Sequence, residues 1–182
     1  VRSRRQRQMC IRDRLIALYY LYPNTYAPAI IFIIASLTDM LDGYLARKND
    51  QITAFGKFID PLADKILAIT ALILFVESKI LPAIPVIIVI YREFAVSGFR
   101  LVAANRGVTI AAGKTGKIKT ALQFIGISMI LISMGGNFNQ LLNIGVITIY
   151  LSVVMTVVSF VVYIKENLSL IHISEPTRRY AI

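Results

Sequence analysis

Four aspartates at fixed spacing hold most of the chemistry available to this sequence. They lie in Asp39-Met-Leu-Asp42-Gly43-Tyr-Leu-Ala46-Arg47 and, eight residues later, in Gly56-Lys-Phe-Ile-Asp60-Pro-Leu-Ala-Asp64. Both segments border apolar runs, where a charge is costly to hold and is usually functional. At helical spacing Asp39 and Asp42 share a face, and so do Asp60 and Asp64. Two helices presenting those faces to each other gather four carboxylates, and four like charges repel unless cations hold them together. The small residues fit the same picture. Gly43 and Ala46 lie within about 60° of Asp39 around a helix of about 3.6 residues per turn. That leaves a shallow bay where a flat base or a ribose could approach the backbone. Arg47 closes the bay with a guanidinium suited to phosphate oxygens, and Gly56 is a second small position before Asp60. The plainer reading is a polar helix hairpin with capping aspartates and loop glycines. It accounts for each position singly but not for their joint spacing.

The pattern D-x-x-D-G-x-x-A-R-x8-G-x-x-x-D-x-x-x-D resembles that of the CDP-alcohol phosphatidyltransferases, and every fixed position is present. The resemblance implies an all-α fold: a polytopic membrane helix bundle of six transmembrane helices, usually dimeric. It implies transfer of a phosphatidyl group from CDP-diacylglycerol to an alcohol, with divalent metal. Carried over residue by residue, it makes Asp39, Asp42 and Asp60 metal ligands. It makes Asp64 the general base, also touching a metal. Gly43, Ala46 and Gly56 then belong to the cytidine pocket, with Arg47 on the phosphates. A free aspartate, with a pKa near 3.9, is a poor base for an alcohol. Neighbouring carboxylates raise its basicity and nearby metals oppose that.

The ends of the chain read differently. Residues 4–14, RRQRQMCIRDR, and residues 168–178, LSLIHISEPTR, resemble translated sequencing-library adapters. We therefore expect three parts: a non-native segment at 1–14, the membrane domain at 15–167 and a second non-native segment at 168–182. The formal charge of the whole chain is +10. Residues 15–167 hold twelve basic and eight acidic side chains, a charge of +4, so the basic pI is no argument for nucleic acid. Cys10 and His172 are the only cysteine and histidine, and both fall outside 15–167. A metal there must take oxygen ligands, which favours Mg²⁺ or Mn²⁺, with a paired site holding two ions.

Elements long enough to span a bilayer must position these residues. The chain is 57% hydrophobic with a mean hydropathy of +0.68, the composition of a polytopic membrane protein. A first helix survives only as Leu15 to Leu21, truncated and too short to span. Further helices are expected at about Thr25–Leu45, Pro61–Val76, Leu81–Ala104, Thr115–Met134 and Leu141–Ile164. Arg47, Lys48, Lys57, Arg106, Lys114, Lys117, Lys119 and Lys165 all fall at one side of that arrangement. The positive-inside rule then puts the aspartates at the cytoplasmic face, and the resemblance implies a bacterial cytoplasmic membrane.

A second constellation concerns the acceptor. Arg92-Glu93-Phe94-Ala-Val-Ser97-Gly98-Phe-Arg100 lies inside an otherwise apolar helix, where such charges are unlikely to face lipid. One reading is an Arg92–Glu93 bridge that only stabilises the bundle. The other is an anion pocket in which arginines hold a phosphorylated alcohol. Gly113-Lys114-Thr-Gly116-Lys117-Ile-Lys119-Thr120 adds basic groups, which alone suit an anionic-lipid contact. Together, R-E-F-x-V-S-G-x-R and G-K-x-K-T resemble the phosphatidylglycerophosphate synthase branch of the family. That implies sn-glycerol 3-phosphate as acceptor, held by Arg92, Arg100, Lys114, Lys117 and Lys119. A relative using serine, phosphatidylglycerol or inositol phosphate keeps the same aspartates. A divalent-cation transporter would leave Gly43, Ala46 and Arg47 without a role.

Overall fold

A computed structural model of the chain describes residues 13–22, 25–48, 54–105 and 114–172, and every element among them is an α-helix. Helix α1 covers residues 13–21. It is followed by α2 (Ala27–Lys48), α3 (Ala54–Glu77), α4 (Ala83–Asn105), α5 (Lys114–Gly136) and α6 (Asn139–His172). Side-chain surroundings are described for most of this length, but not at 39–48, 54–64, 101, 104–105, 114–115 or 166–172.

The packing follows from the helical period. In α4 the buried positions are Val86, Val89, Arg92, Glu93 and Val96, while Ile84, Ile87, Tyr91, Phe94 and Phe99 are exposed. One stripe therefore turns inward and carries both charges, and the outward stripe is apolar. A soluble helix shows the reverse; a bundle solvated by lipid shows this. Stretches Gly116–Gly136 and Asn139–Lys165 are long and apolar enough to cross a membrane. The 23 residues of α4 rise about 34 Å at about 1.5 Å each, enough for a hydrocarbon core of about 30 Å.

Helix α5 packs on α6, α2 and α3; α4 packs on α3 and α6; and α2 touches α3. The α5–α6 pair is closest where glycines remove side chains. A Cβ on Gly126 would lie 2.8 Å from Ile149 and 3.2 Å from the Gly145 carbonyl, and one on Gly145 would lie 3.1 Å from the Ile130 amide. Phe32 of α2 stacks on Phe124 of α5 with ring centroids 5.6 Å apart. The Tyr19 hydroxyl lies 2.6 Å from that of Ser78, and the Tyr20 hydroxyl donates to Glu77, so α1 is tied to the end of α3. That end closes in a Schellman arrangement: the Ile80 amide donates to the Phe75 carbonyl at 2.9 Å, and Lys79 takes φ 59°.

Two boundaries differ from the sequence expectation. Helix α3 starts at Ala54, not Pro61. An interior proline removes one helical hydrogen bond and crowds the carbonyl four residues before it, and membrane bundles accommodate this through neighbouring helices and local adjustment. Gly56, Asp60 and Asp64 thus share one continuous helix. Helix α6 runs on to His172, past the expected end at Ile164, because neither glycine nor proline interrupts Lys165–His172.

Candidate functional site

The backbone places the aspartates on two helices that touch. Asp39 and Asp42, with Gly43, Ala46 and Arg47, lie in the second half of α2, and Gly56, Asp60 and Asp64 lie in the first half of α3. Only residues 49–53 separate the two helices, so both segments belong to one end of the bundle. The side chains of these eight residues lie outside the described ones, and so does any statement of their contacts. Their donor set is all oxygen, with no thiolate or imidazole in either helix. That chemistry fits a hard divalent cation such as Mg²⁺ or Mn²⁺.

Immediately beyond Asp64 the side chains are described, and they form a charged cluster inside the bundle. Glu93 of α4 is its centre. Lys65 of α3 reaches the Glu93 Oε2 at 2.7 Å, Arg92 reaches Oε1 at 3.0 Å, and Lys119 of α5 donates to that same Oε1. Arg92 also donates through Nη2 to the Ser159 hydroxyl of α6 at 2.6 Å, and Lys65 donates to the Ser97 hydroxyl at 2.9 Å. Three helices meet at one carboxylate, and a fourth, α6, joins through Arg92. Lys119 is only 2% exposed and Glu93 6%. Desolvating charges this far is costly, and removing one partner of a buried pair costs about 3–5 kcal/mol. Gly116, in the first turn of α5, brings its backbone against this cluster: a Cβ there would stand 3.8 Å from Arg92 Nη2.

The cluster retains unused donors. The Nε atoms of Arg92 and Arg100 are both buried and find no partner among the described residues. A buried guanidinium N–H without an acceptor is uncommon, and its geometry suits an oxyanion.

Of the expected acceptor residues, the structure thus brings Arg92 and Lys119 together around Glu93. Arg100 lies about two turns further along α4, half-buried. Lys117 is exposed, away from the cluster, and Lys114 begins α5 with its side chain outside the described ones. The expected Arg92–Glu93 bridge is present, as one arm of a larger network. Sequence reading missed Lys65 and Ser159. The signal for Lys65 was a lone cation opening the apolar run Ile66–Val76. For Ser159 it was a run of hydroxyls, Ser152, Thr156 and Ser159, at helical spacing in α6. Ser152 donates to the Ile149 carbonyl at 2.8 Å and Thr156 to that of Ser152 at 2.6 Å, whereas Ser159 receives Arg92.

The family model for CDP-alcohol phosphatidyltransferases matches residues 9–158. The chain is 56% identical over 106 residues to a CDP-diacylglycerol–glycerol-3-phosphate 3-phosphatidyltransferase of Bacillus subtilis, covering 58% of this chain and 55% of that protein. Proteins of the same name match at 36% identity in Rickettsia bellii, over 75% of this chain and 76% of the relative, and at 37% in Haemophilus influenzae, over 83% of each.

Proposed function

Because the chain belongs to the CDP-alcohol phosphatidyltransferase family, we propose that it transfers the phosphatidyl group of CDP-diacylglycerol to sn-glycerol 3-phosphate, giving phosphatidylglycerophosphate and CMP. The observation that carries the acceptor is the buried cationic cluster of Arg92, Lys119 and Lys65, which begins one residue after the last motif aspartate. The names of the relatives support the same substrates.

In this reading the acceptor phosphate lies against Arg92 and Arg100, whose Nε donors are unused, with Lys119 and Lys65 adding charge. A free hydroxyl of the acceptor then faces the aspartate helices. Its oxygen attacks the lipid-side phosphorus of the donor, the bond from that phosphorus to the CMP oxygen breaks, and the hydroxyl proton passes to Asp64. Gly43, Ala46 and Gly56 leave room for the cytidine, and Arg47 meets the donor phosphates. Asp39, Asp42, Asp60 and Asp64 would hold Mg²⁺ or Mn²⁺, which when bound would supply positive charge to the phosphate oxygens. The protein works as a homodimer in a bacterial cytoplasmic membrane, with the aspartate end facing the cytoplasm, where the basic loop residues concentrate.

CMP release from CDP-diacylglycerol, measured against a panel of acceptors, tests the reading. Release with sn-glycerol 3-phosphate, and not with serine, phosphatidylglycerol or inositol phosphate, is the expected result. Release with one of the others would reassign the acceptor. No donor-dependent release under any condition would remove the activity.

A further inference from the structure

Glu93 is a buried carboxylate that the transfer reaction does not use. A carboxylate inside a pocket for an anionic acceptor repels its ligand, so its presence there calls for a physical account. The geometry supplies one. Lys65 comes from α3, Arg92 from α4 and Lys119 from α5, and their charged ends converge on the two oxygens of Glu93. Three cations brought together without a counter-charge would repel and spread. With Glu93 they are held at one place. Their joint charge with it is three positive less one negative, or +2, which matches a phosphate monoester above its second ionisation near pH 6. The other groups bonded to these cations, the hydroxyls of Ser97 and Ser159, are neutral, and Arg100, outside these contacts, adds a further positive charge to the acceptor pocket.

We infer that Glu93 is a positioning residue for the acceptor: it gathers Lys65, Arg92 and Lys119 into a preformed seat of charge +2 for a doubly ionised phosphate monoester. The inference rests on the acceptor reading above. It also gives Lys65 a role, as the arm that joins this seat to the aspartate helix. Lys65 is the most exposed of the three, at 29% against 10% for Arg92 and 3% for Lys119, so an entering phosphate meets it first.

The test is steady-state kinetics of the full chain in mixed micelles, with CDP-diacylglycerol and sn-glycerol 3-phosphate varied in turn and inorganic phosphate as inhibitor. Glu93→Gln keeps the shape but offers one acceptor oxygen where the carboxylate serves three cations. Its KM for sn-glycerol 3-phosphate should rise about tenfold or more, the loss of one charge-assisted contact, and the inhibition constant of inorganic phosphate should rise in parallel. Its KM for CDP-diacylglycerol should stay within about twofold. Glu93→Asp, which restores the charge, should recover part of the loss. Should Glu93→Gln fail to fold, Lys65→Met decides, since it removes only the outer arm: a rise of several-fold or more in the acceptor KM alone is expected. Unchanged acceptor KM in Glu93→Gln, or in Lys65→Met where that variant decides, would overturn the inference. Arg92→Lys and Arg100→Ala separate the two levels. If they raise the acceptor KM and the Glu93 and Lys65 variants do not, only this inference fails; if they too leave it unchanged, the acceptor pocket itself is wrong.

Discussion

A guanidinium whose buried N–H meets no acceptor is a loaded position, and among the described residues α4 has two such donors, on Arg92 and Arg100. If Arg100 grips the acceptor phosphate, Arg100→Ala removes a charge-assisted contact worth about 1.5–3 kcal/mol. The kcat/KM for sn-glycerol 3-phosphate should then fall roughly 10- to 150-fold. The affinity for CDP-diacylglycerol should hold, because the proposed reading gives that end to other residues. Arg100→Lys should recover part of the loss, since lysine lacks the planar fork. Normal acceptor kinetics in a well-folded Arg100→Ala enzyme would take this arginine out of the site. Asp60→Asn belongs to the same scale. It removes one oxygen charge from the proposed metal-binding set, so turnover with Mg²⁺ or Mn²⁺ should be lost while the protein still inserts; near-normal CMP release would refute the ligand assignment. The aspartate pattern stands in the sequence alone, because its spacing along the chain is itself the signal, and the two helices that carry it are adjacent. Ser159 was not. It meets Arg92 across 67 residues of sequence, and nothing in a run of helical hydroxyls tells which one turns from its own backbone to a neighbouring helix.

Among the elements, the six helices were readable from apolar length and from the polar breaks between them, to within a few residues at most ends. The start of α3 was not, because Pro61 signals a helix start far more often than an interior position. Closeness between helices is also invisible in sequence until packing shows which glycines matter. Gly126 and Gly145 let α5 and α6 approach at backbone distance. A methyl group on Gly145 would press on the Ile130 amide and the Gly126 carbonyl, and backbone yields little. Gly145→Ala should therefore lower stability by about 1–3 kcal/mol, seen as a lower Tm in detergent with the KM values of the surviving enzyme unchanged. An unaltered Tm would mean that the pair is less tightly packed. Lys79 offers the opposite case. It is exposed and holds φ 59° at the end of α3, a conformation that costs a side-chain-bearing residue about 1–2 kcal/mol. Lys79→Gly should raise the Tm, and a fall would show that the lysine contributes more than its strain costs.

At the scale of the molecule, the bundle is apolar outside and charged within. The exposed stripe of Ile84, Ile87, Tyr91 and Phe94 lies on the helix whose buried stripe holds Arg92 and Glu93. Such a chain is stable only where its surroundings are as apolar as its exterior. Its orientation there can be measured. In a Cys10→Ser background, single cysteines at Asn49 and Asn137 report the two ends. Position 137 should label from outside intact cells and position 49 should not; the reverse pattern would invert the proposed orientation. The mean hydropathy made the apolar exterior readable. It could not place the inner cluster, which depends on how four helices turn relative to one another.

Lys65 follows Asp64 directly on one unbroken helix. Neighbouring positions on a helix are fixed about 1.5 Å apart in rise and about 100° apart in angle. In the proposed reaction the first grips the acceptor phosphate and the second takes its hydroxyl proton. The peptide bond between them thus works as a ruler, and what it measures is the number of carbons between phosphate and hydroxyl. An acceptor longer by one methylene should still seat its phosphate yet present its oxygen out of register. The penalty should fall on kcat and leave KM nearly untouched.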